Sequence, residues 1–354
     1  MIRIVIKRAF LLVLLLECIS VAAQPSLFPV YKPGKAGFIN RQGKIVIPLQ
    51  FDVAGDFSEG LARVEINNKW GCVDEKGDMV IAPQFSNARD FSEGLARVQV
   101  GGDEYGFYGK WGFIDMTGKF VIEPQYGELR GIAENFESFR EGLALVEVDY
   151  KKGFIDKTGK MVIEPFFAYG YHFTEKLSCS STGLDAKYGC IDKTGRYVIP
   201  PNFDDLSAFS EGWADGKING KCGYIDKTGK TVLIPKFKND AKGDCSIVSG
   251  SFSEGLARWR VGSKFGYIDK KGKLVIPARN KYTDHFSEGL AWVENNGKIG
   301  FIDKRGRMVI KPRRFHHVEP FSGGLAYVVT QNGEHGYIDR TGKYIWRPQK
   351  QSKP

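Results

Sequence analysis

The chain has 354 residues, a formal net charge of +10 and six cysteines. The cysteines lack the close paired spacing of zinc and thiol-redox motifs, which excludes both kinds of site. A basic chain suits anionic partners, namely nucleic acid, acidic glycans, lipid head groups or acidic proteins.

The N-terminal segment has the pattern of an export signal. Three basic residues lie within the first eight positions, an apolar run occupies 9–16, and Ser-Val-Ala-Ala follows at 20–23. Because about 20 apolar residues are needed to span a bilayer, the pattern predicts a cleaved signal peptide over residues 1–23 and no stable membrane span. Cleavage removes three basic and one acidic side chain, leaving +8. Export to the periplasm, the outer surface or the medium makes nucleic acid an unexpected partner.

One phrase then occurs nine times along the chain. It consists of Gly, an aromatic residue or Cys, Ile or Val, Asp or Asn, two spacers and a second Gly. Successive copies lie 34 to 43 residues apart, which is the period of a solenoid, an array or a propeller. A feature that recurs so regularly indicates architecture and not a single active site. The first glycines are Gly37, Gly71, Gly112, Gly153, Gly189, Gly223, Gly266, Gly300 and Gly336.

Each copy predicts a three-stranded antiparallel meander. In the second copy the strands are 61–64, 70–73 and 79–81. A two-residue hairpin turn joins the first two strands, and an Asp-initiated turn that ends in Gly joins the last two. Proline follows the third strand in every copy and ends the pairing, because it has no amide hydrogen to donate. A linker of roughly a dozen residues leads to the next meander, and its aromatic residues are expected to fill the gap between units.

The strands carry apolar residues on both faces, so neighbouring units must cover both sides. The sequence therefore predicts an all-β fold: a tandem array of nine three-stranded antiparallel meanders that forms an elongated or superhelical β-repeat stack. A closed β-propeller is the alternative, since linkers of eight lengths fit an open stack more easily than a ring. Residues 24–348 form the repeat domain, and residues 349–354 form a short polar tail.

The repeated carboxylates do not predict an enzyme. Glutamate recurs in Phe-Ser-Glu-Gly, and aspartate recurs in the second turn. A glycosidase needs two carboxylates in one cleft, whereas these are distributed along the array, so turn and cap roles are expected. The five histidines lack metal-ligand spacing, and no catalytic residue, cofactor or metal site is predicted. A carbohydrate-active hydrolase remains the alternative.

Basic side chains crowd the same second turn. Aligned in a regular array, they predict a basic stripe suited to an extended polyanion such as an acidic glycan. Exposed turns that are simply charged, with neutralising acidic rows nearby, are the alternative. The candidate residues are Lys157, Lys160, Lys193, Arg196, Lys227, Lys230, Lys270, Lys273, Lys304 and Arg307.

Two cysteines are predicted to form a disulfide on the basis of strand register. In the second copy, the turn at 67–68 sets Arg63 opposite Cys72. Aligning the fifth copy puts Cys179 and Cys190 in those two slots. Opposed residues at a non-hydrogen-bonded site lie ~4.5 Å apart at Cα, within bridging range, and export supplies an oxidising compartment. The intervening loop is two residues longer than usual, so two core thiols remain the alternative.

The phrases Lys69-Trp70-Gly71 and Lys110-Trp111-Gly112, with the following Gly-Lys, Val-Ile-x-Pro and Phe-Ser-Glu-Gly-Leu-Ala, resemble the WG (KWG) repeat family of bacterial β-repeat proteins. The resemblance implies a non-catalytic interaction module and carries over no catalytic residue. Together with the export signal, it predicts a binding or scaffold protein of the cell envelope whose partner is a protein or an acidic polysaccharide. Other copies replace the tryptophan with Ala36, Lys152, Tyr188, Cys222, Phe265, Ile299 and His335.

Overall fold

The computed structural model describes residues 27–32, 34–102, 109–129, 138–183, 186–233, 245 and 249–350. The expected signal peptide, residues 1–23, lies outside this part of the chain. Within it, 33 strands form nine small antiparallel sheets, each built from consecutive strands. We call these sheets blades 1 to 9 in chain order.

The first five blades have the following strands. Blade 1 contains β1 (Leu27–Lys32), β2 (Lys35–Asn40) and β3 (Ile45–Phe51). Blade 2 contains β4 (Val53–Ser58), β5 (Leu61–Ile66), β6 (Lys69–Asp74) and β7 (Met79–Phe85). Blade 3 contains β8 (Asn87–Ala88), β9 (Leu95–Val100), β10 (Lys110–Asp115) and β11 (Phe120–Tyr126). Blade 4 contains β12 (Leu143–Val148), β13 (Lys151–Asp156) and β14 (Met161–Phe167). Blade 5 contains β15 (Tyr169–Gly170), β16 (Ser178–Ser181), β17 (Tyr188–Ile191) and β18 (Tyr197–Phe203).

The last four blades continue the pattern. Blade 6 contains β19 (Asp205–Leu206), β20 (Trp213–Ile218), β21 (Lys221–Asp226) and β22 (Thr231–Leu233). Blade 7 contains β23 (Leu256–Val261), β24 (Lys264–Asp269) and β25 (Leu274–Asn280). Blade 8 contains β26 (Tyr282–Thr283), β27 (Leu290–Asn295), β28 (Lys298–Asp303) and β29 (Met308–Arg313). Blade 9 contains β30 (Phe315–Val318), β31 (Leu325–Thr330), β32 (Glu334–Asp339) and β33 (Tyr344–Lys350).

The expected meander forms the last three strands of each blade, but six blades have four strands in place of the expected three. The additional first strand comes from the linker. The expectation that proline ends the third strand is wrong, because β3 runs through Pro48 and still pairs at Phe51 with Ala36. Beyond Phe51 the chain turns back and pairs with the next meander, as where Val53 pairs with Glu65. The last strand, β33, reaches Lys350 by pairing with Glu334, so two residues of the expected tail belong to it.

The first strands face the centre of the assembly and the last strands face outwards. Burial raises the pKa of Asp56 in blade 2 to about 6, and the nearby carboxylates Asp90 and Glu319 add to this effect. Because Glu319 belongs to blade 9, these strands converge. At the outside, one face of the last strand is solvent-exposed, with Val80 at 43%, which corrects the expectation that both faces of every strand are covered. Blades that radiate from a centre diverge towards the rim.

Side chains from adjacent blades form the core. Phe91, from the linker before β9, packs in one cluster with Leu61 and Cys72 of blade 2 and Ala96 and Ile114 of blade 3. The linker aromatics therefore fill the gaps between units, as expected from the sequence. This packing is mutual, since each blade covers one face of the next.

The blades close into a ring. Phe28 of blade 1 packs against Tyr337 of blade 9, with ring centroids 5.6 Å apart, in a cluster that also contains Val30 and Leu325. Gly43 of blade 1 approaches Ile345 of blade 9 so closely that an added Cβ would lie 2.3 Å from its carbonyl oxygen. The protein is therefore a nine-bladed β-propeller, and the expectation of an open stack is wrong. Linker length was therefore a poor guide to whether the ring closes.

Candidate functional site: inter-blade latches and an arginine pocket

The Ser-Glu-Gly turn links each blade to the next. Glu175 has a φ of +50°, a left-handed conformation that costs about 1–2 kcal/mol for a residue with a side chain. Its carboxylate crosses to blade 6, where it accepts the Gly212 amide hydrogen at 3.0 Å and pairs with Lys227 Nζ at 2.7 Å. We call this arrangement, a glutamate bound to the next blade's turn amide and usually to its turn cation, an inter-blade latch.

Latch glutamates occur at seven consecutive interfaces, from blades 2 and 3 to blades 8 and 9. Blade 9 has Gly323 in the glutamate position, with a similar φ of +59°, so the described seam to blade 1 lacks this carboxylate. The glutamates are Glu59, Glu93, Glu141, Glu175, Glu211, Glu254 and Glu288.

The ten residues of the expected basic stripe occupy equivalent turns of successive blades, so they follow a circle and not a line. The first cation of each turn reaches the latch glutamate of the preceding blade; these are Lys157, Lys193, Lys227, Lys270 and Lys304. The second cations are exposed: Lys160, Arg196, Lys230, Lys273 and Arg307. Arg307 also pairs with Asp303 at 2.6 Å. Six of the ten candidate cations thus pair with a carboxylate, five of them in latches.

The other repeated polar residues have structural partners as well. Ser58 Oγ donates a hydrogen bond to the carbonyl oxygen of Phe91 in the next blade at 2.7 Å. Equivalent bonds are made by Ser92, Ser210, Ser253 and Ser287. In the second turn, Asp115 accepts the amide hydrogens of Thr117 and Lys119. The turn and cap roles expected from the sequence are therefore present.

Neutralising one latch is expected to destabilise the propeller in a pH-dependent way. Burial alone would raise the pKa of Glu175, but hydrogen bonds from Lys227 and the Gly212 amide outweigh it and the pKa is lowered. Such a carboxylate contributes stability above its unfolded pKa, and this stability is lost as the pH falls through the folded value. Glu175→Gln should cost about 1 kcal/mol at neutral pH, a difference that shrinks in thermal unfolding scans below the ordinary glutamate pKa of 4.5.

Two lysines of one turn provide the control. Lys227 is in the latch, whereas Lys230 is exposed on the same turn. Lys227→Gln should therefore lower the melting temperature, and Lys230→Gln, which removes the same charge, should leave it nearly unchanged. Equal melting temperatures for the two variants would contradict a stabilising latch.

The structure pairs four of the cysteines. Cys179 lies directly opposite Cys190, in the register expected from the sequence, and their sulfurs are bonded. A second disulfide joins Cys222 to Cys245. Sequence reasoning missed it, although Cys222 replaces the motif tryptophan and Cys245 lies in an unusually long linker. Cys72 is a buried thiol, and burial raises its pKa to about 12.

A pocket of about 350 Å³ opens where blades 2, 3 and 4 meet. Its lining contains three arginines and one carboxylate, and the Glu128 carboxylate lies 3.9 Å from the Arg89 guanidinium. Arg63 comes from β5, Arg89 from the linker before β9, and Arg140 from the turn before β12. We call this site the arginine pocket; its lining residues are Ser58, Arg63, Arg89, Asp90, Phe91, Ser92, Ser138 and Arg140.

Tryptophans of the repeat motif support two of these arginines. The Arg63 guanidinium lies 5.1 Å from the Trp70 ring centroid, and that of Arg89 lies 4.9 Å from Trp111. Arg63 also donates to Asp90 Oδ1 at 2.8 Å and to the Ala88 carbonyl at 2.9 Å. Cation–π contacts and hydrogen bonds thus hold these planar groups in place.

The third arginine, Arg140, is accessible to solvent, and desolvation by the protein around it lowers its pKa. Its positive charge also affects a histidine of the next blade. There the pKa of His172 is lowered to about 4, mainly by burial and also by Arg140. His172 is therefore neutral near pH 7.

Sequence reasoning missed the arginine pocket, although a signal was present. The third residue of the Leu-Ala-Arg phrase is arginine in blades 2, 3 and 7. These are the copies whose motif slot holds Trp70, Trp111 or Phe265, and each ring contacts the arginine of its own blade. The motif tryptophan is therefore paired with an arginine on the neighbouring strand.

A second pocket, also of about 350 Å³, lies between blades 6, 7 and 8. There Arg258 takes the position of Arg63. Asp284 and His285 line the pocket too, and their side chains are 2.9 Å apart. Its lining contains one arginine and one aspartate.

The repeat phrases match the family model described as WG containing repeat. The chain belongs to the WG-repeat family. In this WG-repeat protein, eight matches cover most of the described region. They span residues 37–70, 70–102, 111–151, 153–179, 188–222, 223–265, 265–298 and 299–334.

Two solved structures resemble the WG-repeat propeller in fold. A eukaryotic initiation factor has 13% sequence identity, covers 93% of this chain and 97% of its own, and superposes with a TM-score of 0.64. The computationally designed Ika8 protein has 10% identity, covers 89% of this chain and 99% of its own, and has a TM-score of 0.51. At these identities the likeness shows the fold alone. A search of curated proteins finds no significant match.

Two structural searches concern the described residues only. In that part of the chain, no three His, Cys, Asp or Glu side chains gather to form a metal site. The same residues include no helix with the length and apolar character needed to cross a membrane.

Proposed function

We propose that this WG-repeat protein is an exported, non-catalytic scaffold of the cell envelope that binds a partner protein. One observation carries the proposal: the repeated polar side chains hold the propeller together. The motif serine donates to a carbonyl of the next blade, the glutamate forms a latch, and the aspartate caps a turn. These groups serve a rigid ring whose faces and pockets are available for binding.

Two further features support export. The N-terminal 23 residues have the composition of a signal peptide, and two disulfides link cysteines of the propeller. Disulfides persist in oxidising compartments such as the periplasm and the cell exterior.

Binding of a protein is better supported than binding of an extended acidic polysaccharide. A polyanion would need a continuous row of available cations. Five of the ten candidate cations instead pair with glutamates in the latches. A hydrolase is supported still less, because each latch glutamate lies in a separate blade and is bonded to the next one.

Capture from an envelope extract tests the proposal. Secreted protein should begin at Ala23 or Gln24 by N-terminal sequencing. Immobilised in its folded form, it should retain a specific envelope protein at physiological salt, and that partner should capture it in return. Thermally unfolded protein on the same support is the control. Retention of polysaccharide alone, lost with added salt, or release of sugars from it would overturn the proposal.

A further inference from the structure

We infer that one face of the propeller docks on an anionic lipid surface through cations of blades 7 and 8. This inference goes beyond the proposed function, because a membrane surface is a different ligand from a partner protein. The cations gather at the hairpin turns that join β23 to β24 and β27 to β28, and at the strand ends beside these turns. We call them the basic hairpin patch: Arg260, Lys264, Arg279, Lys281 and Lys298.

The patch lies on the opposite face of the ring from the latches. β24 begins at Lys264, beside its hairpin turn, and ends at Asp269. Asp269 starts the turn that carries the latch cation Lys270. Because a six-residue strand is about 20 Å long, the two turns are at opposite ends of the blade. The basic hairpin patch is therefore distinct from the basic stripe expected from the sequence.

The positive charge of the patch is available to a ligand. Lys264, Arg279 and Lys298 are exposed, and none of the three side chains forms an ion pair or a hydrogen bond with a described residue. Lys281 is exposed too, and its Nζ lies 5.1 Å from the Tyr282 ring centroid. Within the described part of the chain, these four cations thus face solvent without a carboxylate partner.

Carboxylates are scarce at this end of the two blades. It is formed by residues 260–265, 279–283 and 294–299, and the one carboxylate among them is Glu294. Glu294 is partly buried and accepts the Gly297 amide hydrogen at 3.3 Å. Arg260, the fifth cation, donates to the Gly262 carbonyl at 2.9 Å, which holds its guanidinium at the hairpin turn. Among these residues, five cations and one carboxylate leave an excess of positive charge.

Hairpins of other blades carry less unpaired charge. In blade 1, Lys35 pairs with Asp52 at 2.8 Å. In blade 5, Lys187 pairs with Asp204, and blade 9 has Glu334 at the lysine position. The charge of the basic hairpin patch is therefore not a general property of the fold.

An anionic bilayer complements this surface better than a soluble polyanion does. Acidic lipid head groups attract basic residues near the membrane, by about fivefold in affinity for each Lys or Arg. Tyr282, next to Lys281 in the patch, is 49% exposed, and an amphipathic aromatic ring suits the boundary between head groups and acyl chains. A soluble polyanion would use the cations but not this ring. The patch thus combines the two kinds of contact that hold a peripheral protein on a membrane.

Vesicle co-sedimentation with purified mature protein tests the inference. The vesicles contain equal parts of phosphatidylglycerol and phosphatidylcholine, and vesicles of phosphatidylcholine alone and soluble polygalacturonate are the comparison ligands. The double variant Lys264→Gln with Lys298→Gln removes two charges of the patch. Its matched control, Lys230→Gln with Lys273→Gln, removes two exposed lysines from the latch face.

We expect wild-type protein to bind the anionic vesicles at low ionic strength and to be released at about 0.5 M salt, where charge interactions are screened. The patch double variant should bind them about tenfold more weakly or worse, and the control should change less than about twofold. Tyr282→Ser should weaken vesicle binding severalfold and leave polygalacturonate binding unchanged.

Melting temperatures of the variants establish that they are folded. Equal affinity for anionic and neutral vesicles, or equal losses in the two double variants, would overturn the basic hairpin patch as a lipid-docking site. Polygalacturonate bound more tightly than the anionic vesicles, with the same dependence on Lys264 and Lys298, would assign the patch to an acidic polysaccharide instead. If wild-type protein ignores anionic vesicles yet captures an envelope protein, the inference fails while the proposed function stands.

Discussion

Gly43→Ala is expected to destabilise the propeller far more than Gly60→Ala. Both glycines have left-handed backbone, with φ of +80° and +86°, so alanine meets a similar conformational cost of about 1–2 kcal/mol at each. An added Cβ at Gly60 meets open space, whereas at Gly43 it lies 2.3 Å from the Ile345 carbonyl oxygen of blade 9. We expect a loss of about 3 kcal/mol or more for Gly43→Ala, measured by chemical denaturation.

This pair of variants also tests ring closure in solution. In an open array blade 1 would have no preceding blade, and the extra cost at Gly43 would vanish. Similar stabilities for Gly43→Ala and Gly60→Ala would therefore contradict the closed ring. A compact, disc-like particle in small-angle scattering is the matching expectation for wild-type protein.

Removing the disulfide between Cys222 and Cys245 is also expected to lower the free energy of unfolding substantially. The two residues are 23 positions apart, and the loop-entropy model gives about 3 kcal/mol for closing a loop of that length. The double variant Cys222→Ala with Cys245→Ala should lose stability by this amount. The bond between Cys179 and Cys190, 11 positions apart, should contribute slightly less by the same model.

Non-reducing peptide mapping of freshly exported protein checks both bonds directly. We expect Cys179 linked to Cys190, Cys222 linked to Cys245, and Cys72 recovered as a thiol that reacts only after unfolding. Recovery of all five cysteines as thiols would rule out both disulfides. The matched control is Cys72→Ser, which should leave the map of the two linked pairs unchanged.

The strands could be predicted from the sequence because turn residues and strand register depend on residues that are close together in the chain. The turn residues set the meanders, and the register that opposes Cys179 and Cys190 follows from a single turn. Closure is different, because it depends on the angle between blades. That angle arises from packing such as Gly43 on Ile345, between residues at opposite ends of the chain.

The candidate site was harder to predict for a related reason. The glutamates were expected to cap turns, but the partner of Glu175 lies in another blade, 52 positions away at Lys227. The arginine pocket combines Arg63, Arg89 and Arg140 from three blades. Pairing of arginine with the motif aromatic could have been noticed within the sequence, whereas the convergence of residues from three blades depends on the ring.

The way the ring closes affects which changes in the number and order of units the fold can tolerate. Blade 1 consists of β1 to β3 and blade 9 of β30 to β33, so within the described residues no strand is exchanged between the two ends of the chain. Within the described residues, the joints consist of side-chain packing, hydrogen bonds and ion pairs between complete sheets. A gene for this architecture can therefore gain or lose whole units, or have its ends moved to another joint by circular permutation, without splitting a sheet.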